Sequence, residues 1–315
     1  MIGKRARKYR ARMPDFTFSH VPGMRDAAAV PILDVETLRE SVFVGDYVSK
    51  SRPCVIRGGI RHWAAIEKWR DKEYLKRRTG HHQVYLYPNE YHTSPKRMEA
   101  GGRRLLTLAE AIDHLDAQDT RIGIVVTGQP QELLPDLGGV GFLNSGEPAF
   151  NCPPARYFFF RNAGTTWHYH PFDETLMCQI VGSKKIGLLD VNNAARETIR
   201  NIFFHEDYYD DPSVFDGLEN AGLSWLEAEL DPGDALYIPP LWWHGVVPTT
   251  SFFGSTAAVT WRSPRHVIAD TLRRMASGEA DMIGKDSVPH FDALLNVARN
   301  MGMERELAIA WRRGV

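Results

Sequence analysis

Two histidines one residue apart, His168 and His170, stand in the stretch GTTWHYHPFDET that begins at Gly164. Residues i and i+2 of a strand share a face, so on a β-strand both imidazoles can converge on one object. A metal ion suits their chemistry, because neutral imidazole is a ligand for iron, zinc and copper. A third histidine, His244, follows two tryptophans in LDPGDALYIPPLWWHGVVP. A long gap between ligands is expected where two pieces of a barrel meet across its interior. Two histidines with a carboxylate, or three histidines, leave about three positions open on a six-coordinate iron. Those positions can take a bidentate cosubstrate and dioxygen, whereas closed four-ligand sites are structural. His81 and His82 are adjacent, so on a strand they face opposite sides and are read as non-ligands. His92, His205 and His266 have no supporting context.

The elements that must position these residues are short strands. Between 156 and 262 the runs ARYFFFRN, TTWHYH, TLMCQIVG, KKIGLLD, ALYIPP, WHGVVP and STAAVTW are split by turn residues. Such spacing predicts an antiparallel sandwich or barrel. Asp-Pro-Gly-Asp at 231–234 is a turn signature just before ALYIPP. Upstream, DVETLRESVFVGDYVSK, HWAAIEKWRDKEYLKRRTG and LTLAEAIDHLDA predict helices, and RPCVIRGG, HHQVYLYPN and RIGIVVTG predict strands. Residues 128–155, rich in Gly and Pro, read as a long loop with a short helix. The segment 192–224 is the other stretch expected to flank the mouth of the barrel.

The chain end is helical again. Leu294, Leu295, Val297, Met301, Leu307, Ile309 and Trp311 make its last segments apolar enough to pack on the barrel or pair with a second copy, a candidate homodimer contact. The domain reading is a basic tail over 1–30, a barrel domain over 31–265 and a helical segment over 266–315.

Composition narrows the class. With 315 residues, 43% of them hydrophobic, the chain can bury a sizeable core. A net charge of −1 gives no electrostatic reason to expect nucleic acid or an anionic membrane as partner. The exception is the basic run KRARKYRAR, read as a solvated tail; no apolar stretch follows it, so it is not a secretory signal. Three widely spaced cysteines, Cys54, Cys152 and Cys178, suggest neither a zinc ribbon nor a disulfide framework. No apolar run is long enough to span a bilayer, and the expected location is the cytoplasm.

SRPCVIRGG followed by HWAAIEKW, then GTTWHYH, QIVGSKK and LDPGDALYIPPLWWHGV, together resemble the JmjC-type, cupin-like oxygenases that use Fe(II) and 2-oxoglutarate. The group that includes the asparaginyl hydroxylase of hypoxia-inducible factor and small bacterial cupin-like proteins is particularly similar. The resemblance runs from about residue 31 to residue 262. It implies a mainly β fold with flanking helices, built on a double-stranded β-helix, or jelly roll. It implies His168 as first ligand and His244 as distal ligand of the iron. Lys184 falls on the lysine that pairs with the far carboxylate of 2-oxoglutarate in the family, with Lys185 the competing candidate, and Thr165 falls on a threonine that binds the same carboxylate. The implied reaction is hydroxylation of a protein or peptide side chain or of a small metabolite, with O2 consumed. A demethylase of the chromatin type is the less favoured alternative, since neither reader domains nor zinc-binding cysteine clusters are present.

The chain departs from the family between His168 and Gln179. Where the family has Asp two residues after the first histidine, this chain has His170. The strand asparagine of the family becomes Thr175, a candidate cosubstrate contact, and one extra residue separates His170 from Gln179. Three outcomes stay open. His170 is itself a ligand; Asp173 or Glu174 folds back through the Pro171 turn to supply the carboxylate; or the site is degenerate. Other cupins carry His-x-His with a glutamate a few residues on, which keeps open a three-histidine oxygenase that needs no oxoacid, with or without Glu174. A non-catalytic metal-binding module is the further alternative.

Overall fold

The computed structural model describes residues 18, 21–48, 50–88, 102–117, 123–128, 130–140, 156–170, 173–189, 223–239 and 242–262. The basic run KRARKYRAR, nearly all of the 192–224 segment, the C-terminal segment expected as helical, His92, His205, His266 and Cys152 lie outside the described residues. No described helix is long and apolar enough to cross a membrane.

Fourteen described strands follow in chain order: β1 (Ala28–Ala29), β2 (Ile32–Asp34), β3 (Cys54–Arg57), β4 (Gln83–Tyr87), β5 (Arg104–Thr107), β6 (Gly123–Thr127), β7 (Arg156–Arg161), β8 (Thr165–His168), β9 (Asp173–Val181), β10 (Lys184–Leu189), β11 (Trp225–Leu230), β12 (Ala235–Ile238), β13 (His244–Pro248) and β14 (Gly254–Arg262). They form a five-stranded sheet, β1-β11-β10-β13-β8, and a nine-stranded sheet, β2-β3-β12-β9-β14-β7-β6-β4-β5. From β7 to β14 the chain alternates between the sheets except at β10 and β11, which are neighbours in the five-stranded sheet, and the pairings among these strands are antiparallel, which is the jelly-roll core expected from the sequence.

Every strand run expected between 156 and 262 is present. β11 was not expected, because Glu227 and Glu229 interrupt its apolar pattern; both point away from the core while Trp225, Ala228 and Leu230 are buried.

The outward face of the nine-stranded sheet carries the main core. Leu176, Cys178 and Ile180 of β9 and Tyr157 and Phe159 of β7 pack with Trp63, Trp69, Leu75, Leu108, Ile112 and Leu115 from the helical layer. Two of those helices start where capping chemistry dictates. At Leu108–Asp116 the Thr107 hydroxyl accepts from the Glu110 N–H, and the Glu110 carboxylate accepts from the Thr107 N–H, a reciprocal capping box. The run HWAAIEKWRDKEYLKRRTG, expected as one helix, is two: Asp71 caps a new start by accepting from the Glu73 N–H, so Ala65–Lys68 and Lys72–Thr79 are separate. The expected helix over DVETLRESVFVGDYVSK is a single α-turn, Glu40–Val42, that widens into a π-helix, Phe43–Val48.

Buried Asp136 ties the short 3-10 turn Gln131–Asp136 to this layer. Its carboxylate accepts from the Lys68 ammonium at 2.7 Å, the Trp69 indole at 3.1 Å and the Tyr74 hydroxyl at 2.7 Å. That turn is the short helix expected in the 128–155 loop, of which residues 141–155 are not described.

The outward face of the five-stranded sheet is covered differently. Trp167 lies flat across Gly187 and Gly245, where an added Cβ would come within 2.7 Å and 2.8 Å of its ring. Phe18 meets it at a tilt of 55° and Trp225 edge-on at 65°, and Met24 closes the layer. Residues 18 and 21–30, expected within a tail, therefore belong to the fold: Phe18, Val21, Met24 and Val30 are buried, and β1 pairs with β11. The Asp-Pro-Gly-Asp turn before β12 forms as expected. Gly233 takes a φ of +101°, and the Asp234 carboxylate accepts from the N–H groups of Gly58 and Asp231 and from Arg57.

One expectation fails. His81 and His82 are not on a strand, because β4 begins only at Gln83; they sit in the turn after Gly80, and their rings stack 4.3 Å apart instead of facing opposite ways.

Candidate metal centre

His168 ends β8 and His244 begins β13, and the two are direct partners in the antiparallel ladder. Partners in a ladder project to the same face, so both imidazoles point into the barrel, with ring centroids 4.3 Å apart. His170 lies just beyond the end of β8. The chain still returns its ring to the pair, 5.1 Å from each of the other two centroids. One donor nitrogen from each of His168, His170 and His244 lies within 4.8 Å of the others.

Hydrogen bonds fix which nitrogen two of these rings offer. The His244 Nδ1–H donates to the Trp242 carbonyl at 2.8 Å, which leaves the lone pair on Nε2. That Nε2 is buried and has no hydrogen-bond partner among the described residues. The His170 Nδ1 lies 2.7 Å from the Thr175 hydroxyl; with Nδ1–H donating there, its Nε2 is likewise free to bind a metal. Burial, reinforced by the neighbouring imidazoles, holds His244 well below the ordinary histidine range, against the opposing pull of the Trp242 carbonyl. Burial also lowers His170, followed by the proximity of His168 and Arg156. Neutral imidazoles presenting lone pairs to a common point are a donor set that fits a divalent transition metal.

Strand parity places the other candidates. Leu188 of β10 is the partner of His244, so Ile186 and Lys184 share its inward face, while Lys185 points outward and pairs with Glu227 at 2.9 Å. Lys184 is buried, with its ammonium 4.0 Å from the Phe160 ring centroid and 5.8 Å from that of Phe158. No carboxylate pairs with it among the described residues, and burial lowers its pKa to about 7.

Thr165 is three residues before His168, a spacing that on a regular strand puts the two on opposite faces. A register shift corrects this: His244 pairs with His168, but Val246, two residues on, pairs with Thr165. The extra residue in β8 is a bulge, and it returns Thr165 to the inward face shared by His244, Val246 and Lys184.

Thr175 and Glu174 are neighbours on β9 and so face opposite ways. Thr175 points inward, to His170. Glu174 points into the outer core, where its carboxylate accepts from the Tyr237 hydroxyl, and it does not join the histidines. Nothing is described of the Asp173 side chain. The structure adds contacts that composition and spacing did not single out: the Trp242 carbonyl behind His244 and the Phe158 and Phe160 rings beside Lys184. The alternation in RYFFFR was the available signal for the two phenylalanines.

Comparison with known proteins identifies the domain. The family described as Cupin-like domain matches residues 39–264. JmjC domain-containing protein D of Dictyostelium discoideum is 25% identical over 236 residues, covering 67% of this chain and 52% of that protein. Lysine-specific demethylase 8 of Xenopus tropicalis is 28% identical over 243 residues, covering 71% and 51%. The bifunctional peptidase and (3S)-lysyl hydroxylase JMJD7 of Homo sapiens is 28% identical over 170 residues, covering 50% and 52%. The chain thus spans about half the length of these curated relatives. With the jelly roll, the inward histidines and a match over most of its described length, the chain belongs to the cupin-like domain family and is JmjC-like within it.

Proposed function

We propose that this chain is an iron(II)- and 2-oxoglutarate-dependent oxygenase that hydroxylates a C–H bond. The observation that carries the reading is the presence, on one inward barrel face, of three converging imidazoles and a buried lysine with no acidic partner among the described residues. The first group fits a metal and the second fits the far carboxylate of a dicarboxylic acid.

His168, His170 and His244 would hold the iron, which when bound supplies the dioxygen activation and oxidising power for C–H cleavage. The remaining work falls to the chain. Lys184 and Thr165 bind the distal carboxylate, one by charge and one by a hydroxyl hydrogen bond, because a buried carboxylate needs both. The Phe158 and Phe160 rings face the lysine ammonium and, with its burial, shield it from water. Three neutral ligands contribute no negative charge, so the full charge of the ion is available to attract a dianionic oxoacid. Trp242 and Thr175 aim the imidazoles through their Nδ1 atoms.

A protein or peptide substrate is favoured over a small metabolite. The names of two relatives, a lysine-specific demethylase and a lysyl hydroxylase, support action on a protein side chain. Cytoplasmic location and a homodimer through the C-terminal segment remain part of the proposal.

Anaerobic addition of 2-oxoglutarate to the Fe(II)-loaded protein tests the reading. A visible charge-transfer band is expected in the wild type, weakened in both His170→Ala and Lys184→Ala. Iron binding without that band overturns the oxoacid mechanism and leaves a three-histidine oxygenase or a binding module.

A further inference from the structure

We infer that His81, His82 and Glu132 form a second divalent-metal site, outside the barrel, that takes a zinc-class ion and ties the turn before β4 to the turn Gln131–Asp136. The donor atoms are spaced for one ion. The His82 Nε2 lies 3.1 Å and 3.2 Å from the two Glu132 carboxylate oxygens, and the His81 Nε2 lies 3.6 Å from the nearer one. Donors bound at zinc-ligand distances around one tetrahedral or octahedral ion sit about 3.0–3.5 Å apart. One nitrogen or oxygen from each residue falls within 4.8 Å of the other two. The two rings lie 4.3 Å apart with planes tilted by 32°, and each turns its Nε2 towards the Glu132 carboxylate.

Both segments that carry the donors are fixed by contacts that do not involve the donors. The His82 carbonyl accepts from the Leu108 N–H at 2.8 Å, and the His82 N–H donates to the Thr79 carbonyl at 3.1 Å. The Gly80 carbonyl accepts from the Ala109 N–H at 3.1 Å. On the other side, buried Leu133 and the triply hydrogen-bonded Asp136 anchor the turn that bears Glu132, and Arg78 donates to the Glu132 carbonyl at 2.7 Å. A site whose donors rest on anchored backbone loses little freedom when the ion binds. Two imidazoles and one carboxylate are a borderline set that suits Zn²⁺ and its first-row neighbours over Mg²⁺ or Ca²⁺. Three protein donors leave a position for water. In the hydrogen-bonded form the His82 Nε2–H donates to Glu132; on binding, the neutral ring takes its Nδ1–H tautomer, so Nε2 turns a lone pair to the ion and both histidines and the carboxylate become ligands with no net loss of a proton. The site shares no residue with the barrel histidines and does not depend on their function.

The full chain carrying His168→Ala and His244→Ala, which lacks the barrel ligands, isolates the second site. Zn²⁺ is titrated against a chromophoric chelator, and Co²⁺ is followed by its visible absorption. One equivalent is expected to bind in this background, with a rise in melting temperature. Adding His82→Ala or Glu132→Gln is expected to weaken binding roughly 10–100-fold or more, since losing a ligand costs at least as much as losing a group behind one. The glutamine variant preserves shape and hydrogen bonding, and far-UV circular dichroism with the metal-free melting temperature verifies that each variant folds. Absence of Zn²⁺ binding in the doubly substituted background overturns the inference. So does an equivalent that persists undiminished in the His82→Ala and Glu132→Gln variants, because the ion then sits elsewhere.

Discussion

His168 and His244 face each other as ladder partners across β8 and β13, with their rings 4.3 Å apart inside the barrel. The pairing register between two strands thus sets the separation of two donors, and backbone hydrogen bonds hold it. His170 completes the cluster from beyond the strand end, where the backbone has more latitude.

Replacing either ladder partner should therefore cost the metal. His168→Ala and His244→Ala are expected to lose retained iron almost completely, while His170→Asp keeps it, because a carboxylate is also an iron ligand. Iron content after anaerobic desalting checks this, and equal loss in His170→Asp would show that the imidazole itself is required.

The Thr175 hydroxyl lies 2.7 Å from the His170 Nδ1, so its expected role is to orient that ring. Thr175→Val removes one hydrogen bond at constant volume, expected to cost about 1 kcal/mol of stability and to lower iron affinity roughly 10–100-fold. A titration with Fe(II) under nitrogen reads the second effect. An oxoacid affinity that falls with iron affinity unchanged would return Thr175 to a cosubstrate role.

Lys184 should hold the ligand-free fold back. Its pKa in the fold, about 7, lies below the ordinary lysine value of 10.5, so the unfolded chain binds the extra proton between those limits. The resulting penalty is absent above the unfolded value and grows as pH falls, reaching about 3 kcal/mol at pH 8. Lys184→Met is expected to raise the melting temperature at pH 8 and to abolish 2-oxoglutarate binding. The gain should shrink as pH rises towards 10.5; a gain that does not change with pH would show that packing, not charge burial, is responsible.

Glu174 should be dispensable for the metal. Glu174→Gln keeps a hydrogen-bonding group beside Tyr237 and is expected to leave iron stoichiometry unchanged, with stability falling by about 1–3 kcal/mol from the altered buried pair. Loss of iron with an intact fold would put the carboxylate back among the ligands.

Trp167 leaves no room on the outer face of the five-stranded sheet. Gly245→Ala would drive a methyl group to 2.8 Å from its ring and should destabilise the fold by about 1–3 kcal/mol in urea unfolding. A neutral result would mean that the Phe18–Met24 segment yields easily.

The sequence alone determined the barrel strands other than β11, the three barrel histidines that could bind a metal and the turn at Asp-Pro-Gly-Asp. These are local matters of two-residue periodicity, side-chain chemistry and turn preference, so they are written in short runs such as KKIGLL and DPGD. The family resemblance even favours Lys184 over Lys185. Tertiary structure decided the rest. Whether His170 or Glu174 joins His168 depends on which face of β9 meets the barrel interior, and Glu174 loses because its strand position faces the helical core. Thr165 reaches the inward face only through a bulge that is defined by the partner strand, and no local pattern announces it. His81 and His82 misled the strand rule because the turn after Gly80 delays β4, and Glu132, which meets them, comes from a distant turn held by Asp136. Spacing fixes faces only where the backbone is regular; at bulges, strand ends and turns, the contacts made by the folded chain fix them.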